Sequence, residues 1–444
     1  SSRFPHHSEV AWREPRCEAS ALMPRLAGEN KYAQLSAVAA IPVVLYSVWR
    51  LLQDPAPTRG TKSRTQLHYG PADRRRRKSV DGDDFPPPYP NGWYFLCASK
   101  DIGVGCLRSF FITGRELVAF RNAEGEVGVV SAFCAHQGVH IGHGGFVDGD
   151  GVRCPYHHWK FGTDGKLQHI PQLEDGGARD CDRDRNHLKS FPVTEDSRLI
   201  FFWVHADGED PLAPALSASF LRPIKDAKLS WAASLRMEDF HMHVMEPSHN
   251  TVDWYHFKTV HHLLAAHWLN KLAPLYATYE TKQARAMIYG SKNDNGSPVT
   301  DPQLLVFDQR VLSVKLFDHI ALPSTFIPKV QQTSFCGPQN MATHLEIPVV
   351  GQFLMLLLMV PIAPFRTEMQ LHAYSEKWWA RPVAHILLWA LRATLTQDRE
   401  IWENKIMHKT RNSIKGDWSW TMYDKWLRQF YSPSSLTWSD DLSW

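Results

Sequence analysis

The chain is poor in cysteine and has almost no net charge. Its 444 residues include only seven Cys, and 49 Lys+Arg against 46 Asp+Glu leave a net charge of +3. So few, irregularly spaced cysteines exclude a disulfide scaffold, and they favour a reducing compartment or a role in metal binding. The balanced charge gives no electrostatic reason to expect nucleic acid as a partner.

Nucleotide-binding motifs are also missing. The sequence has no GxGxxG or Walker motif, so any flavin or pyridine nucleotide would belong to a partner protein. Hydrophobic residues at 43% and charged residues at 21% are ordinary for globular domains, which excludes a multi-span membrane protein and a wholly disordered chain. Histidine, with 23 residues, and tryptophan, with 17, are abundant instead.

The first 90 residues divide into three segments by composition. Residues 1–31 are polar and aperiodic, which predicts a flexible tail. Tyr32–Trp49 has no charged residue and would extend about 27 Å as a helix, so we expect a transmembrane anchor at residues 32–52. A buried helix and a cleaved signal peptide are the alternatives. Residues 53–90 are rich in proline and basic residues, which is typical of a linker.

Basic residues are more numerous after the expected anchor than before it. Nine Lys and Arg lie between Arg50 and Lys78, and five precede the anchor. We therefore expect a single-pass protein of the endoplasmic reticulum membrane whose large C-terminal part is cytosolic. The run Arg74–Lys78 is expected to contact anionic lipid headgroups, with a nuclear signal or solvated charge as alternatives.

The rest of the chain predicts two domains of different class. Over residues 91–207, short β-prone runs are broken by turn signals such as Asp164-Gly165, which indicates a small all-β domain. Residues 208–432 mix strand and helix patterns, which indicates an α+β domain, and residues 433–444 form a tail.

Three stretches of the second domain have a clear pattern. Thr251–Leu269 and Val383–His408 are predicted to be helical. The apolar run Phe353–Val360 lies between proline and glycine residues, so it suits a buried strand better than a second membrane span.

Two glycine-rich loops of the first domain each offer one cysteine and one histidine. Cys134-x-His136 and Cys154-x-x-His157 are separated by 17 residues. Zinc is the simplest occupant of two Cys and two His, but zinc fingers usually pair Cys with Cys and His with His. One Cys and one His on each loop instead favour a Rieske [2Fe–2S] cluster, in which one iron takes two thiolates and the other two imidazoles.

A second cluster of potential metal ligands lies in the α+β domain. Asn250 is followed by Asp253-x-x-His256 and then by His261. Asp253 and His256 would share a helical face, whereas His261 is about 140° further round, so the helix must bend or end for both imidazoles to reach one metal. Two His and one carboxylate form the usual triad of non-haem Fe(II). His262 competes with His261 for ligation.

The carboxylate of this triad must come from another segment. The predicted C-terminal helix offers Asp398, Glu400 and Glu403, and the residues alone do not choose among them.

Together these motifs resemble the Rieske non-haem iron oxygenases, most closely the Neverland family of cholesterol 7-desaturases. The resemblance covers about three quarters of the chain and rests on PNGWYFL, the cluster loops, HVMEPSHNTVDWYHFKTVH, QDREIWENK and WLRQFYSPSS. It implies a helix-grip fold for the second domain. It also implies that Asp398 is the iron-binding carboxylate, that Asn250 lines the site, and that Asp253 connects His256 to His157 of the partner subunit.

The resemblance further implies an activity and partners. Cholesterol would be converted to 7-dehydrocholesterol with O2, electrons from a separate NAD(P)H-dependent reductase, a [2Fe–2S] cluster and a mononuclear Fe(II), in a homotrimer. The chain departs from the family pattern at His249, Gln137 and His158, none of which is a ligand. The alternatives are a steroid hydroxylase of the 3-ketosteroid 9α type, a plain Rieske electron-transfer protein, and a zinc-stabilised sterol-binding module.

Overall fold

The structure is a computed structural model of a single chain. It describes residues 86–173, 185–211, 218–253, 255–256, 260–261, 277–287, 301–316, 320–321, 323–324, 327, 329–405 and 414–436. The expected tail and anchor and most of the expected linker lie outside these residues. Within the described residues, no helix is both long enough and apolar enough to cross a membrane.

The first domain consists of small antiparallel sheets, as the sequence predicts. Its strands are β1 (Gly92–Ala98), β2 (Leu107–Ile112), β3 (Arg115–Arg121), β4 (Val127–Ser131), β5 (Phe146–Asp148), β6 (Gly151–Arg153), β7 (Lys160–Gly162), β8 (Leu167–His169), β9 (Ser190–Phe191), β10 (Val193–Asp196) and β11 (Leu199–Val204). The sheets have the orders β1-β11-β10, β2-β3-β4-β9 and β5-β6-β7-β8. Gly165 turns the chain between β7 and β8 at φ +76, where a Cβ atom would lie 2.3 Å from the carbonyl oxygen of Leu188. Glycine is therefore required at this turn.

The second domain is built on one large antiparallel sheet. Its strands are β12 (Ser230–Phe240), β13 (Ala277–Met287), β14 (Leu304–Leu316), β15 (Ile320–Ala321), β16 (Lys329–Cys336), β17 (Asn340–Ile347), β18 (Gly351–Ala363) and β19 (Arg366–Ser375). The order is β12-β19-β18-β17-β16-β14-β13, with β15 paired to β14. The α-helices described are α1 (Ala218–Asp226), α2 (Glu246–Val252), α3 (Arg381–Asn404) and α4 (Trp418–Leu427), and short 3-10 turns cover Ser99–Asp101, Trp378–Ala380, Lys415–Asp417 and Arg428–Phe430.

Strand β18 is buried on both faces, which explains its uninterrupted apolar sequence. Leu354, Leu356 and Leu358 belong to a core shared with the first domain. The alternate residues Phe353 and Leu357 belong to a core shared with the helices. A strand enclosed on both sides needs no polar alternation, so the predicted buried strand at Phe353–Val360 is confirmed.

The two helices that carry site residues begin in the same way and end differently from the prediction. Both have a proline in the first turn, where its missing N–H costs no hydrogen bond. Helix α3 occupies most of the predicted stretch Val383–His408. Helix α2 ends at Val252, and Asp253 has extended backbone angles of φ −88 and ψ 106. The predicted helical face shared by Asp253 and His256 is therefore wrong. Most of the predicted helix Thr251–Leu269 lies outside the described residues, so the expected bend or end between His256 and His261 stays a prediction.

Candidate metal centres

The two cysteine–histidine loops have the same backbone geometry. The Cys134 N–H donates to the carbonyl oxygen of Val139 at 2.9 Å, and the Cys154 N–H donates to that of Trp159 at 3.0 Å. In both loops the fourth residue after the cysteine, Gly138 or His158, has a positive φ, of 68 and 56 respectively, and donates its N–H back to the cysteine carbonyl. His158 thus occupies a turn position, which accounts for its presence without a ligand role.

The four side chains divide into a buried pair of thiols and an outer pair of imidazoles. Burial, together with the neighbouring Cys154 thiol, raises the pKa of Cys134 to about 11. The His136 and His157 rings lie 4.8 Å apart on the solvent side, and His136 is exposed. Two adjacent thiols inside and two adjacent imidazoles outside are the donor set of a Rieske cluster, so the residues present fit this group.

Trp159 supports the outer pair, although it belongs to neither ligand motif of the sequence. Its ring stacks on His136 at 4.4 Å with an interplanar angle of 4°. Its indole N–H donates to Oε1 of Gln172 at 3.2 Å, and Nε2 of Gln172 donates to the carbonyl oxygen of His157. Trp159 and Gln172 therefore fix the positions of both imidazole-bearing segments.

The second centre brings together residues from α3 and the segment after α2. Nε2 of His256 lies 3.1 Å from Nε2 of His261, which lies 3.3 Å from Oδ1 of Asp398. One ligand atom from each of the three residues falls within 4.8 Å of the others. Oδ1 of Asp398 is buried yet has no hydrogen-bond partner. A buried carboxylate oxygen facing two imidazole nitrogens fits a divalent cation, and two His plus one carboxylate is the facial arrangement preferred by non-haem iron.

Both imidazoles are oriented through the nitrogen that does not face the centre. Nδ1 of His256 contacts the carbonyl oxygen of Asp253, and Nδ1 of His261 lies 3.4 Å from Oε1 of Gln397. Because each of these oxygens can only accept, Nδ1 carries the proton and Nε2 is left to bind a metal. Burial also lowers the pKa of His256, which keeps its ring neutral. Gln397 gave no signal in the sequence beyond its place next to Asp398.

The structure decides among the three carboxylates left open by the sequence. Glu400 is exposed on α3. Oε1 of Glu403 accepts the backbone N–H of His241 at 2.9 Å and Nε of Arg399 at 2.8 Å. Only Asp398 of the three reaches the imidazoles. His262 lies outside the described residues.

Asn250 and Asp253 border the same centre. Nδ2 of Asn250 lies 3.0 Å from Nε2 of His256. Oδ1 of the half-buried Asp253 accepts the backbone N–H of Tyr255 at 3.0 Å, while its backbone carbonyl contacts His256. Asp253 therefore orients the imidazole through its main chain and keeps its carboxylate for another contact.

His249, the departure next to Asn250, has a structural explanation. Its Nδ1 accepts the indole N–H of Trp420 at 3.0 Å, and its Nε2 lies 3.5 Å from Oδ1 of Asp424. Both partners belong to α4, so the buried imidazole connects α2 to α4 one residue before Asn250.

Comparison with known proteins agrees with the cluster geometry. The sequence model of the family described as Rieske [2Fe-2S] domain matches residues 92–192. The chain contains a Rieske domain. The donor set of Cys134, His136, Cys154 and His157 lies within that match.

Relatives extend the similarity over the second domain. Cholesterol 7-desaturase nvd of Xenopus laevis is 27% identical over 417 residues, which cover 90% of this chain and 85% of that protein. The oxygenase component of 3-ketosteroid-9-alpha-monooxygenase of Rhodococcus rhodochrous is 26% identical over 202 residues, 45% of this chain and 51% of that protein. The resemblance to cholesterol 7-desaturases, seen first in the motifs, is confirmed.

A solved structure shows the same fold. Dicamba monooxygenase bound to dicamba aligns with a TM-score of 0.52 at 14% identity, over 77% of this chain and 97% of that chain. At this identity the likeness concerns the fold alone. It supports a Rieske domain followed by an α+β domain in one chain.

Proposed function

We propose that this chain is a membrane-anchored cholesterol 7-desaturase. It forms the C7–C8 double bond of 7-dehydrocholesterol with O2 and with electrons from a separate NAD(P)H-dependent reductase. The observation that carries the proposal is the presence, in one chain, of a Rieske domain and of the triad His256, His261 and Asp398. The sterol is supported by the similarity to the cholesterol 7-desaturase of Xenopus laevis.

Each metal-binding residue has a defined task in this reaction. Cys134, His136, Cys154 and His157 would hold a [2Fe–2S] cluster, and the triad would hold a mononuclear Fe(II). When bound, the cluster would pass single electrons and the mononuclear iron would activate O2. The protein supplies the orientation of the ligands through Asp253, Gln397 and Trp159.

We also propose a homotrimer in which electrons cross between subunits. The Asp253 carboxylate would connect His256 to His157 of the partner subunit. Two observations support this role. The Asp253 carboxylate is half-buried and is not used to bind His256, and the His136 and His157 rings lie on the solvent side of their loops. Asn250 borders the iron without being one of its three ligands.

The membrane location remains a proposal based on composition. The uncharged stretch within residues 32–52 would anchor the chain in the endoplasmic reticulum membrane, and the excess of basic residues after it would keep the catalytic part cytosolic. A membrane anchor suits an enzyme whose substrate partitions into lipid.

Hydroxylation of a 3-ketosteroid is the second candidate activity. It is favoured by the similarity to the Rhodococcus enzyme over nearly half of this chain. Desaturation and hydroxylation both begin with removal of a hydrogen atom, so the ligand set is the same for either.

A product assay separates these activities. The full-length protein is incubated with a reductase, NAD(P)H, O2 and, in separate reactions, cholesterol and a 3-ketosteroid, and the products are identified by mass spectrometry. We expect 7-dehydrocholesterol, dependent on O2 and abolished by His256→Ala. A hydroxylated ketosteroid instead would favour the second candidate, and no O2-dependent product from either steroid would reject both.

A further inference from the structure

An apolar surface lies at the start of α3, away from the metal-binding residues. Trp378 is 80% exposed, Val349 87% and Ile386 57%, and Trp379 and Pro382 are also exposed. We call these five residues the apolar surface. Large exposed apolar side chains that occur together mark a contact with a protein or a membrane.

Two chain segments join to form this surface. The turn Pro348–Val350 connects β17 to β18, and the 3-10 turn Trp378–Ala380 leads into α3. The backbone N–H of Glu376 donates to the carbonyl oxygen of Gln352 at 3.0 Å, and the Gln352 N–H donates to Oε2 of Glu376 at 3.1 Å. These bonds hold the segments of Val349 and Trp378 together at the same end of the neighbouring strands β18 and β19.

The first three turns of α3 carry apolar side chains on the outer face as well as on the core face, beside the exposed Arg381. Ala384 and Leu388 are buried against the sheet. Pro382, Ile386 and Trp389 follow each other at spacings of four and three residues, which places them together on another face of the helix. A helix that is apolar on its outer face is typical of burial rather than of exposure to water.

Val349 has a backbone conformation that β-branched residues rarely adopt. Its φ of +71 lies in the left-handed region, where a β-branched residue is strained and Asn or Gly is usual. Its side chain is also almost fully exposed. The strained backbone and the exposure of the apolar side chain both destabilise the protein in water. Burial of the side chain in an apolar medium would remove the cost of exposure.

Basic charge predominates around the apolar surface, although the exposed Glu376 lies next to it. From Lys377 to Gln397 the chain has three basic residues, Lys377, Arg381 and Arg392, and no acidic residue. Nζ of Lys377 lies 5.4 Å from the ring centroid of Trp379. Tryptophan bordered by lysine and arginine is the composition of side chains at a membrane–water interface, with the rings at headgroup depth and the cations on anionic headgroups.

We infer that the apolar surface docks on the surface of a lipid bilayer that contains anionic headgroups. No described helix crosses a membrane, so α3 would lie on the bilayer and not through it. Residues 53–85 can extend at most about 110 Å, so a chain anchored at 32–52 can bring this surface to the same bilayer. Tryptophan and arginine are also enriched at protein–protein interfaces, so the choice of lipid over a second copy of the chain rests on the predominance of basic charge and on Lys377 beside Trp379.

Docking would place the membrane on the helix that carries the iron-binding carboxylate. Ile386 and Asp398 are twelve residues apart on α3, about 18 Å along its axis. A lipid-dissolved substrate would then enter the protein near the iron. This consequence rests on the proposed activity, whereas docking itself does not.

Fluorescence quenching in reconstituted vesicles tests the docking. In full-length protein with Cys17, Cys106 and Cys181 replaced by Ser, an environment-sensitive fluorophore is attached after Ile386→Cys or, as the matched control on the same helix, Ile401→Cys. The vesicles contain phosphatidylcholine, phosphatidylserine and lipids brominated near the headgroup. We expect strong quenching at position 386 and little at position 401. Equal quenching at both, or none at 386, would overturn the proposal.

Variants separate docking from folding. Trp378→Ser should weaken the docked state about tenfold, while Trp418→Ser, at another exposed tryptophan, should not.

Val349→Asn should reduce quenching and leave the melting temperature equal or higher, because Asn tolerates the left-handed conformation. Lys377→Ser and Arg381→Ser should each weaken docking about fivefold on vesicles with phosphatidylserine only. Quenching unchanged by Trp378→Ser and Val349→Asn would overturn the assignment of this surface.

Separate measurements distinguish lipid docking from an interface between two copies of the chain, and from the proposed desaturase activity. If position 386 is shielded from the lipid and a crosslinker placed there joins two chains, the surface is an interface between copies and the lipid proposal is wrong. The quenching measurement needs no turnover. A protein that docks but yields no 7-dehydrocholesterol therefore rejects the proposed function alone, and an active protein that does not dock rejects the docking alone.

Discussion

Nε2 of His261 lies 3.3 Å from Oδ1 of Asp398, although the two residues are more than a hundred positions apart in the chain. The carboxylate oxygen is buried and accepts no hydrogen bond. A buried carboxylate oxygen that accepts no hydrogen bond destabilises a fold unless a cation compensates for it. This pair is therefore the structural signature of a metal centre, and it leads directly to the first prediction.

Asp398→Asn should remove the mononuclear iron and spare the cluster. The amide keeps the size of the side chain but binds iron poorly. We expect iron per chain to fall by one third, the visible spectrum of the cluster to remain, and turnover to be lost. In metal-free protein the same variant should be more stable than the wild type, by about 1–3 kcal/mol, because it removes a buried charge. Metal analysis and thermal unfolding measure both effects.

Glu400→Gln is the matched control for this change. Glu400 is exposed on the same helix, two residues from Asp398. Its replacement should leave iron content, stability and turnover unchanged. Loss of iron in Glu400→Gln, with full loading of Asp398→Asn, would contradict the assignment of the ligand.

Gln397→Ala should weaken the mononuclear site without removing a ligand. Gln397 holds the Nδ1 side of His261, and loss of such a partner costs about 10–100-fold in metal affinity. Gln397→Glu keeps an acceptor oxygen and should restore binding. Titration of metal-free protein with Fe(II) measures the affinity, and Thr396→Ala, on the exposed side of α3, should bind as the wild type does. Equal affinity in Gln397→Ala would show that this contact does not orient the ligand.

Asp253→Asn should separate metal binding from electron transfer. The contact that orients His256 comes from the Asp253 backbone, which the substitution retains. Both iron centres should therefore load fully, whereas turnover should fall by at least tenfold if the carboxylate carries electrons between subunits. Rapid mixing of pre-reduced protein with O2 and substrate would show the cluster remaining reduced. Rapid cluster oxidation in this variant would contradict the role of the carboxylate.

Stability should fall in acid because two buried histidines are neutral in the folded state. Burial lowers the pKa of His243 to about 4 and that of His372 to about 3, from an ordinary value of 6.5. Between pH 6.5 and 4 the unfolded chain therefore binds more protons than the folded one. The free energy of unfolding should decrease as the pH falls through this window, by about 1.4 kcal/mol per pH unit for each histidine. Denaturant unfolding at several pH values measures the slope.

His372→Leu tests the larger of these two shifts. Neither ring nitrogen of His372 has a hydrogen-bond partner, and its ring packs against Phe95 of the Rieske domain. Leucine should raise stability at neutral pH and remove about half of the acid-side slope assigned to the two histidines. An unchanged slope would mean that His372 does not titrate on unfolding.

The sequence predicts the cluster site better than the iron site, for a physical reason. The cluster donors lie on two short loops whose spacing alone limits the possible geometries, so the residues could be named from local pattern. The iron site joins α3 to the segment after α2, and nothing local distinguishes Asp398 from Glu400 or Glu403. Their burial and partners depend on packing that exists only in the folded domain.

Other features depend on tertiary contacts in the same way. The helical pattern from Thr251 onward did not reveal that the chain becomes extended at Asp253, since the bend is stabilised by contact with His256. The role of His249 depends on Trp420 and Asp424, more than 170 residues away. By contrast, Phe353–Val360 was predicted correctly, because a continuous apolar run between breakers has few alternatives to a strand buried on both faces.

Spin resonance combined with metal and sulfide analysis tests the central claim most directly, that two iron centres coexist in this chain. The purified full-length protein should contain two sulfides and three iron atoms per chain, and reduction should produce the signal of a binuclear cluster with imidazole ligands. The Asp398→Asn protein should keep that signal with one iron atom fewer. A well-folded, colourless protein that contains zinc and no sulfide would contradict the account.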